Sequence, residues 1–452
     1  MRDVRGRRIT VVGAARSGSA AAELLRLHDA VVFVTDAKPI EPTIASRLDI
    51  AGVPYEEGGH TDRALQADMF VVSPGVPTST PIVQKALKAG LPVYSEIEAA
   101  SWFCRAPIVA VTGSNGKTTT SSLIGHVFRT GGRVAHIGGN IGRPFSAFAS
   151  AAQPEDVVVL EVSSFQLDHV DTFRPRVAVL LNVTPDHLDR YDQDFDRYAR
   201  SKFRIGENQQ HDDTFIFNQD DAVAAQYAGR LRTRPEAPGL MAFSQQSEVE
   251  RGAFERDGTI VLRINEEEIL MRSEELSLQG RHNLYNSLAA AVAARVMEVR
   301  SDAVRESLAS FEGVPHRLEF IRQVDGVRYV NDSKATNVNA VWYALESFDE
   351  PVILIAGGRD KGNDYEALKP LVRQKARAVI AVGESADKVA SELGSETTHS
   401  VTADSFADAV RYARLFAEPG DVVLLSPACA SFDMFQNYEE RGDTFRKLVN
   451  EL

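Results

Sequence analysis

Cysteine is scarce. Cys104 and Cys429 are the two in 452 residues, far apart and without zinc-type spacing. That argues against a disulfide scaffold and a structural zinc site, and free thiols in a reducing compartment are expected. Long apolar runs are missing as well. The basic start, MRDVRGRRITVVGAARSG, holds only about six apolar residues before Arg16, and no window of about 18 apolar residues occurs. Neither a secretion signal nor membrane insertion is expected, and the chain reads as cytoplasmic. Positive charge is in deficit, with 50 Lys and Arg against 63 Asp and Glu and a formal charge of −13. General binding to nucleic acid or to an anionic membrane needs a basic surface and is not expected. Any anionic ligand must be held by local groups. What is present, 44% hydrophobic and 25% charged residues, is the balance of a globular protein and excludes a long disordered chain.

Short apolar strands alternate with helical stretches over the first hundred residues: Ile9–Val12, Val31–Thr35, Met69–Val72 and Val93–Ser95 as strands, Ser17–Leu27 and Thr80–Ala89 as helices. This is the pattern of a parallel sheet. A second α/β unit starts at Pro107 with the strand Ile108–Val111, followed by Val157–Leu160 and Val177–Leu181. Residues 252–272 read as a hairpin around Asp257-Gly258, and Leu284–Val299 as an Ala-rich helix. A third unit opens near Val314-Pro315, with a hairpin around Asp325-Gly326 and strands Val352–Ile355, Ala378–Val382 and Val422–Leu425. The expected fold is α/β in three domains: 1–100, 101–314 and 315–452.

The most specific local motif is IVAVTGSNGKTTTSSLIGHVF, residues 108–128. A strand feeds a glycine turn, then Lys117-Thr118 and a helix. Such a turn points backbone N–H groups at phosphate oxygens, the lysine reaches the β/γ phosphates, and the threonine hydroxyl suits Mg²⁺. Val111 stands where the strict Walker pattern has glycine. The motif implies ATP or GTP. Near the N-terminus, Gly13-x-Ala15-x-x-Gly18 follows a strand and Asp36 closes the next. With Ala15 replacing the central glycine of a dinucleotide fingerprint, three readings stay open: a redox cofactor, a structural turn, or another nucleotide-like ligand. Asp36 suits a ribose hydroxyl, a base N–H or a turn cap.

Glu161 follows VVVL, His187 lies in LNVTPDHLDRY, and Lys202 in YARSKFRIG. A Glu and a His at strand ends facing the phosphate loop are candidate Mg²⁺ ligands, or simply capped ends. In the third unit PHRLEF, NDSKATN, IAGGRDKG and SPACASFD follow strands. Arg317 and Lys334 could neutralise phosphate, with Asp332 holding them. Asn283 and Asn286 of HNLYN share a helix face, where they could bind an adenine edge or cap the helix.

In this order VTGSNGKTTT, Glu161 after VVVL, NVTPDH, the lysine of YARSKFRI, HNLYN, PHRLE and NDSKATN resemble the Mur ligase family, over essentially the whole chain. The resemblance implies a UDP-binding Rossmann-like N-terminal domain, a central P-loop ATPase-type domain and a mobile Rossmann-like C-terminal domain. It implies amide formation on the UDP-linked muramyl precursor of peptidoglycan, through an acyl phosphate made with ATP. SPACASFDMFQNYEERG and NDSKATN look most like the branch that joins D-glutamate to UDP-N-acetylmuramoyl-L-alanine. By matching motif, Gly113, Ser114, Asn115, Gly116, Lys117, Thr118 and Thr119 would cradle the phosphates. Thr118 and Glu161 would hold one Mg²⁺, and His187 with a carbamylated Lys202 a second. Asn283, Asn286, Arg317 and Asp332 would contact ATP, with Lys334 counted among the catalytic groups. Arg16, Ser17, Asp36 and Gly75 would contact the UDP moiety and Asn140 the muramyl part. Thr336, Lys361, Ser431, Phe432 and Tyr438, this last where phenylalanine is common, would hold D-glutamate. A monomer is expected. The alternatives are a ligase for L-alanine or for the third residue, a folylpolyglutamate synthase, and a non-catalytic nucleotide switch or NAD-binding regulator. Residues 1–107 ahead of the P-loop argue against the synthase.

Overall fold

Runs such as VVVL and VILI are apolar at every position, the pattern of strands covered on both faces. In the computed structural model, which describes residues 2–360 and 362–452, such runs form interior strands, paired on both sides, within the three sheets. The first sheet holds β1 (Arg8–Val12), β2 (Val31–Thr35), β3 (Tyr55–Glu56), β4 (Met69–Val72) and β5 (Val93–Ser95), all parallel, in the order β3-β2-β1-β4-β5. The order reverses between β1 and β4, and ligands of such sheets bind where that happens, beyond the strand ends.

The second sheet comprises β6 (Ile108–Thr112), β7 (Ala135–Gly139), β8 (Val157–Glu161), β9 (Val177–Leu180), β10 (Thr214–Asn218), β11 (Gly239–Ser244), β12 (Gly252–Arg256), β13 (Thr259–Arg263) and β14 (Glu267–Arg272). Its order is β14-β13-β12-β11-β10-β9-β6-β8-β7. β6 therefore lies between β8 and β9, at the reversal. Asp257 and Gly258, both at positive φ (50° and 71°), make the tight turn between β12 and β13. The expected hairpin carries a third antiparallel strand, β14.

The third sheet holds β15 (Glu319–Val324), β16 (Val327–Asn331), β17 (Val352–Ala356), β18 (Ala376–Val382), β19 (His399–Ala403) and β20 (Val422–Leu425), in the order β15-β16-β20-β17-β18-β19. β15 is antiparallel through the expected Asp325-Gly326 turn, and the rest are parallel. Alternation along these strands sends Val330, Leu354, Val379 and Leu424 into one core layer and Tyr329, Ile353, Ile380 and Val423 into the other. The chain forms two compact units. One runs to Glu275 and resumes over Tyr285–Ser310; the other comprises Leu276–Leu284 and Phe311–Leu452. The first unit carries the first two sheets and the second the third. Among the described residues no helix is long and apolar enough to cross a membrane.

Candidate active site

β6 ends at Thr112, and the helix Lys117–Thr130 begins five residues later. Gly116 caps that helix at φ 84°, and a Cβ there would come within 2.4 Å of Asn286 Oδ1. Left-handed backbone and close approach both require glycine. The turn is pinned by the chain leaving β9. Ser114 N–H donates to Asn182 O at 3.0 Å. Asn182 Oδ1 accepts from Asn115 N–H at 2.8 Å, and its Nδ2 donates to Asn115 O at 3.1 Å. Ser114 Oγ donates to Thr184 O and accepts from Thr184 N–H, at 2.8 and 2.9 Å, and lies 2.9 Å from the Tyr198 hydroxyl. Asn182 and Tyr198 lie inside LNVTPDHLDRY and YARSKFRIG, and only the fold reveals their part in the loop. The Lys117 ammonium folds back on Gly113 O and Ser114 O, both at 2.8 Å.

Glu161, the last residue of β8, is buried beside this loop. Its Oε2 accepts from Thr118 Oγ1 at 2.6 Å and its Oε1 from Asn140 Nδ2 at 3.0 Å. One buried carboxylate thus joins a P-loop residue to a residue expected at the muramyl group. Lys202 lies on the helix Phe195–Phe203, is 2% exposed, and donates to Gly113 O at 2.8 Å, the same carbonyl that Lys117 uses. Burial first, and then the Lys117 cation, push the Lys202 amine well below the usual lysine range, against the pull of Asp186, Glu161 and Asp168. His187 has left-handed backbone (φ 52°), is half-exposed, and lies 3.7 Å from Asp186. Among the described residues no three His, Cys, Asp or Glu side chains gather as a metal cluster. A hydroxyl beside a buried carboxylate nevertheless fits Mg²⁺, which takes few protein oxygens and completes its shell with water and phosphate.

At the reversal of the first sheet, a cavity of about 510 Å³ is lined by Arg16, Ser17, Asp36, Gly75 and Asn140, five residues brought together from distant segments. Asp36 Oδ2 accepts from Ala14 N–H at 2.7 Å, which turns the carboxylate toward the glycine turn. The outer glycines of that turn are packing requirements. A Cβ on Gly18 would lie 1.7 Å from Gly13 O, and one on Gly13 would lie 2.8 Å from Val76. Ala15 has ordinary extended backbone (φ −66°, ψ −172°), so its methyl lines the cavity without strain.

In the second unit, Asp332 and Arg317 are neighbours. Asp332 accepts from Ser426 Oγ at 2.8 Å and Leu318 N–H at 3.3 Å; burial pushes its carboxyl up to about 7 despite these bonds and the Arg317 charge. The Lys334 ammonium sits 3.6 Å from the centre of the Tyr438 ring, a cation–π pair, and Ser333 Oγ donates to Tyr438 O at 2.8 Å. Arg441, buried and without a local sequence signal, ties the NDSK and SPACAS segments by donating to Ser333 O and Cys429 O. Ser431 is buried, Phe432 is exposed, and Thr336 N–H donates to Lys334 O. Asn283 belongs to this unit and Asn286 to the first, where Asn286 Oδ1 accepts from Thr120 Oγ1 at 3.1 Å. Lys361 lies outside the described residues.

A glycine loop after the strand at the reversal of a doubly wound sheet, beside a second sheet with its own crevice, is the architecture of a nucleotide-binding α/β enzyme. Three family models match in sequence order: the MurD N-terminal domain over residues 8–82, the Mur ligase middle domain over 111–294, and the Mur ligase glutamate ligase domain over 316–429. The UDP-N-acetylmuramoylalanine–D-glutamate ligase of Salinibacter ruber is 61% identical over 460 residues, covering 100% of this chain and 99% of that protein. The enzyme of the same name from Chloroherpeton thalassium is 45% identical, covering 100% and 99%. The UDP-N-acetylmuramate-alanine ligase of Thermotoga maritima shares the fold at 16% identity and TM-score 0.60, over 98% of this chain and 99% of that one. MurF from Acinetobacter baumannii does so at 16% and 0.62, over 100% and 92%. The chain belongs to the Mur ligase family. Members of this family are ATP-dependent ligases, which implies ATP and Mg²⁺.

Proposed function

We propose that the protein adds D-glutamate to UDP-N-acetylmuramoyl-L-alanine in the cytoplasm, as a monomer, at the expense of ATP. The observation that carries this reading is the identity of 61% along the whole chain with a ligase of that name, supported by the buried Thr118–Glu161–Asn140 connection.

In the proposed mechanism the loop from Gly113 to Thr119 holds the ATP phosphates, and Lys117 swings from its own loop carbonyls to the transferring phosphoryl group. Thr118 and Glu161 would hold one Mg²⁺; His187 and Lys202 would serve a second. The ions would neutralise charge on the phosphate oxygens. The depressed Lys202 amine is the chemical basis for a carbamate: the neutral nitrogen adds to CO₂, releases a proton and leaves a carboxylate-like group. The free carboxylate of the L-alanyl residue attacks the γ-phosphorus and ADP leaves. The D-glutamate amine then attacks the acyl phosphate carbon, loses a proton and expels phosphate. Asn283, Asn286, Arg317 and Asp332 are assigned to ATP and Lys334 to phosphate charge. Arg16, Ser17, Asp36 and Gly75 are assigned to the uridine diphosphate, and Thr336, Lys361, Ser431, Phe432 and Tyr438 to D-glutamate. The domain division assigns the uridine substrate to 1–100, the ATP phosphates to 101–314 and the incoming amino acid to 315–452.

The route has an isotopic signature. With ¹⁸O in the L-alanyl carboxylate, one label must appear in inorganic phosphate for each amide formed. Unlabelled phosphate from a working enzyme would rule out the acyl phosphate.

A further inference from the structure

A second cavity, of about 590 Å³, lies away from the uridine-type crevice. Four arginines line it, Arg197, Arg200, Arg204 and Arg230, against two carboxylates, Asp168 and Glu207. That balance is opposite in sign to the chain, whose formal charge is −13. Arg197, Arg200 and Arg204 recur at helical spacing along Phe195–Phe203 and the turn after it, while Arg230 comes from the helix Ala222–Arg232. Phe203 and Tyr227 join the two helices, stacked at 4.1 Å with the Tyr227 hydroxyl donating to Phe203 O at 2.6 Å. Arg204 is committed to the scaffold through Glu207 and the carbonyls of Asp168 and Val170. Arg197 pairs with Asp192 at the rim. Among the described residues Arg200 has only Asp194, at 3.9 Å, and the Arg230 guanidinium has no bond or ion pair.

Exposed ion pairs of this kind are worth little. A ligand carrying two or more charges would displace them, and guanidinium forks match phosphate oxygens better than any other side chain. The volume is that of a small-molecule site.

We propose that this cavity is a second anion site, taking a small ligand with a diphosphate group, and that its occupation acts on the helix Phe195–Phe203. That helix presents Arg197 and Arg200 to the cavity and carries Lys202, whose amine donates to Gly113 O in the nucleotide loop. Between them Ser201, which also lines the cavity, anchors the helix by donating to Ser164 O at 2.7 Å. The site stands on its own residues; the effect on turnover rests on the reading of Lys202 given above.

The test measures binding of radiolabelled inorganic pyrophosphate to the full chain, with a non-hydrolysable ATP analogue and UDP-N-acetylmuramoyl-L-alanine both saturating, so that the loop and the first crevice are filled. One pyrophosphate per chain is expected. Binding should be at least tenfold weaker in the double variant Arg200→Ala, Arg230→Ala, which should keep its basal turnover. No binding to the wild type, or equal binding to the variant, would overturn the site. In the turnover arm pyrophosphate should change kcat at saturating ATP in the wild type and not in the variant. Binding without any change in kcat would overturn the link to Lys202 and leave the function reading untouched.

Discussion

Lys117 and Lys202 place two amines on one carbonyl, Gly113 O, inside a largely buried loop. Two ammonium ions so placed repel, and the buried one gives up its proton first. The two lysines therefore have different chemistry and different expected losses. Lys117→Ala removes charge stabilisation of the transferring phosphoryl group, so turnover should fall by about 10²–10³ with folding intact, read from steady-state kinetics and circular dichroism. Lys202→Ala should be nearly inactive and regain part of its activity with millimolar short carboxylic acids, whereas Lys202→Arg should not respond. A depressed amine is neutral to lower pH than an ordinary lysine, so at limiting CO₂ wild-type activity should rise with pH. Glu96 gives a separate residue-scale test. It is fully buried, accepts from Ser146 N–H, and burial pushes its carboxyl up to about 7 from 4.5. The folded state then holds a proton that the unfolded chain releases, so this group's contribution is present below pH 4.5 and is lost as pH rises through about 7. Glu96→Gln should be the more stable protein at pH 8, by up to about 3 kcal/mol, and the gap should close near pH 4 in denaturant titrations.

Among elements, the nucleotide loop depends on the chain leaving β9. Asn182→Ala strips both Asn115 backbone groups of partners. At about 1–2 kcal/mol this should weaken ATP binding roughly tenfold, while calorimetry with the uridine substrate stays unchanged. An equal loss for both ligands would show general unfolding instead. The same scale explains what could be read in advance. Val31–Thr35, Met69–Val72, Val93–Ser95 and Val422–Leu425 are strands at the very limits expected, because buried parallel strands are apolar throughout. β7 (AHIGG) and β19 (HSVTA) escaped notice because edge strands are partly solvated and carry glycine or polar residues. β10 and β11 are short apolar runs that periodicity alone does not separate from helix.

For the whole molecule, strand ends placed Arg16, Ser17, Asp36, Gly75 and Asn140 on one cavity. Asp36 and the glycine turn are legible from the strand pattern, because parallel sheets gather their ligands at such ends, whereas Arg16, Ser17, Gly75 and Asn140 are named only through the family resemblance. The partners that fix the site, Asn182, Tyr198 and Arg441, act through tertiary contacts that no local pattern encodes. The choice of amino acid is also a property of the whole chain, since an acidic protein must assemble local donors for a dianion. The most direct test of the account is phosphate release by the purified protein with ATP, Mg²⁺ and UDP-N-acetylmuramoyl-L-alanine, against a panel of D-glutamate, L-glutamate, D-aspartate, L-alanine and a diamino acid. D-Glutamate alone should support rapid release with stoichiometric amide: L-glutamate misdirects its amine or its α-carboxylate, and D-aspartate is one methylene short. Preference for L-alanine or the diamino acid, or no release with any of them, would contradict it.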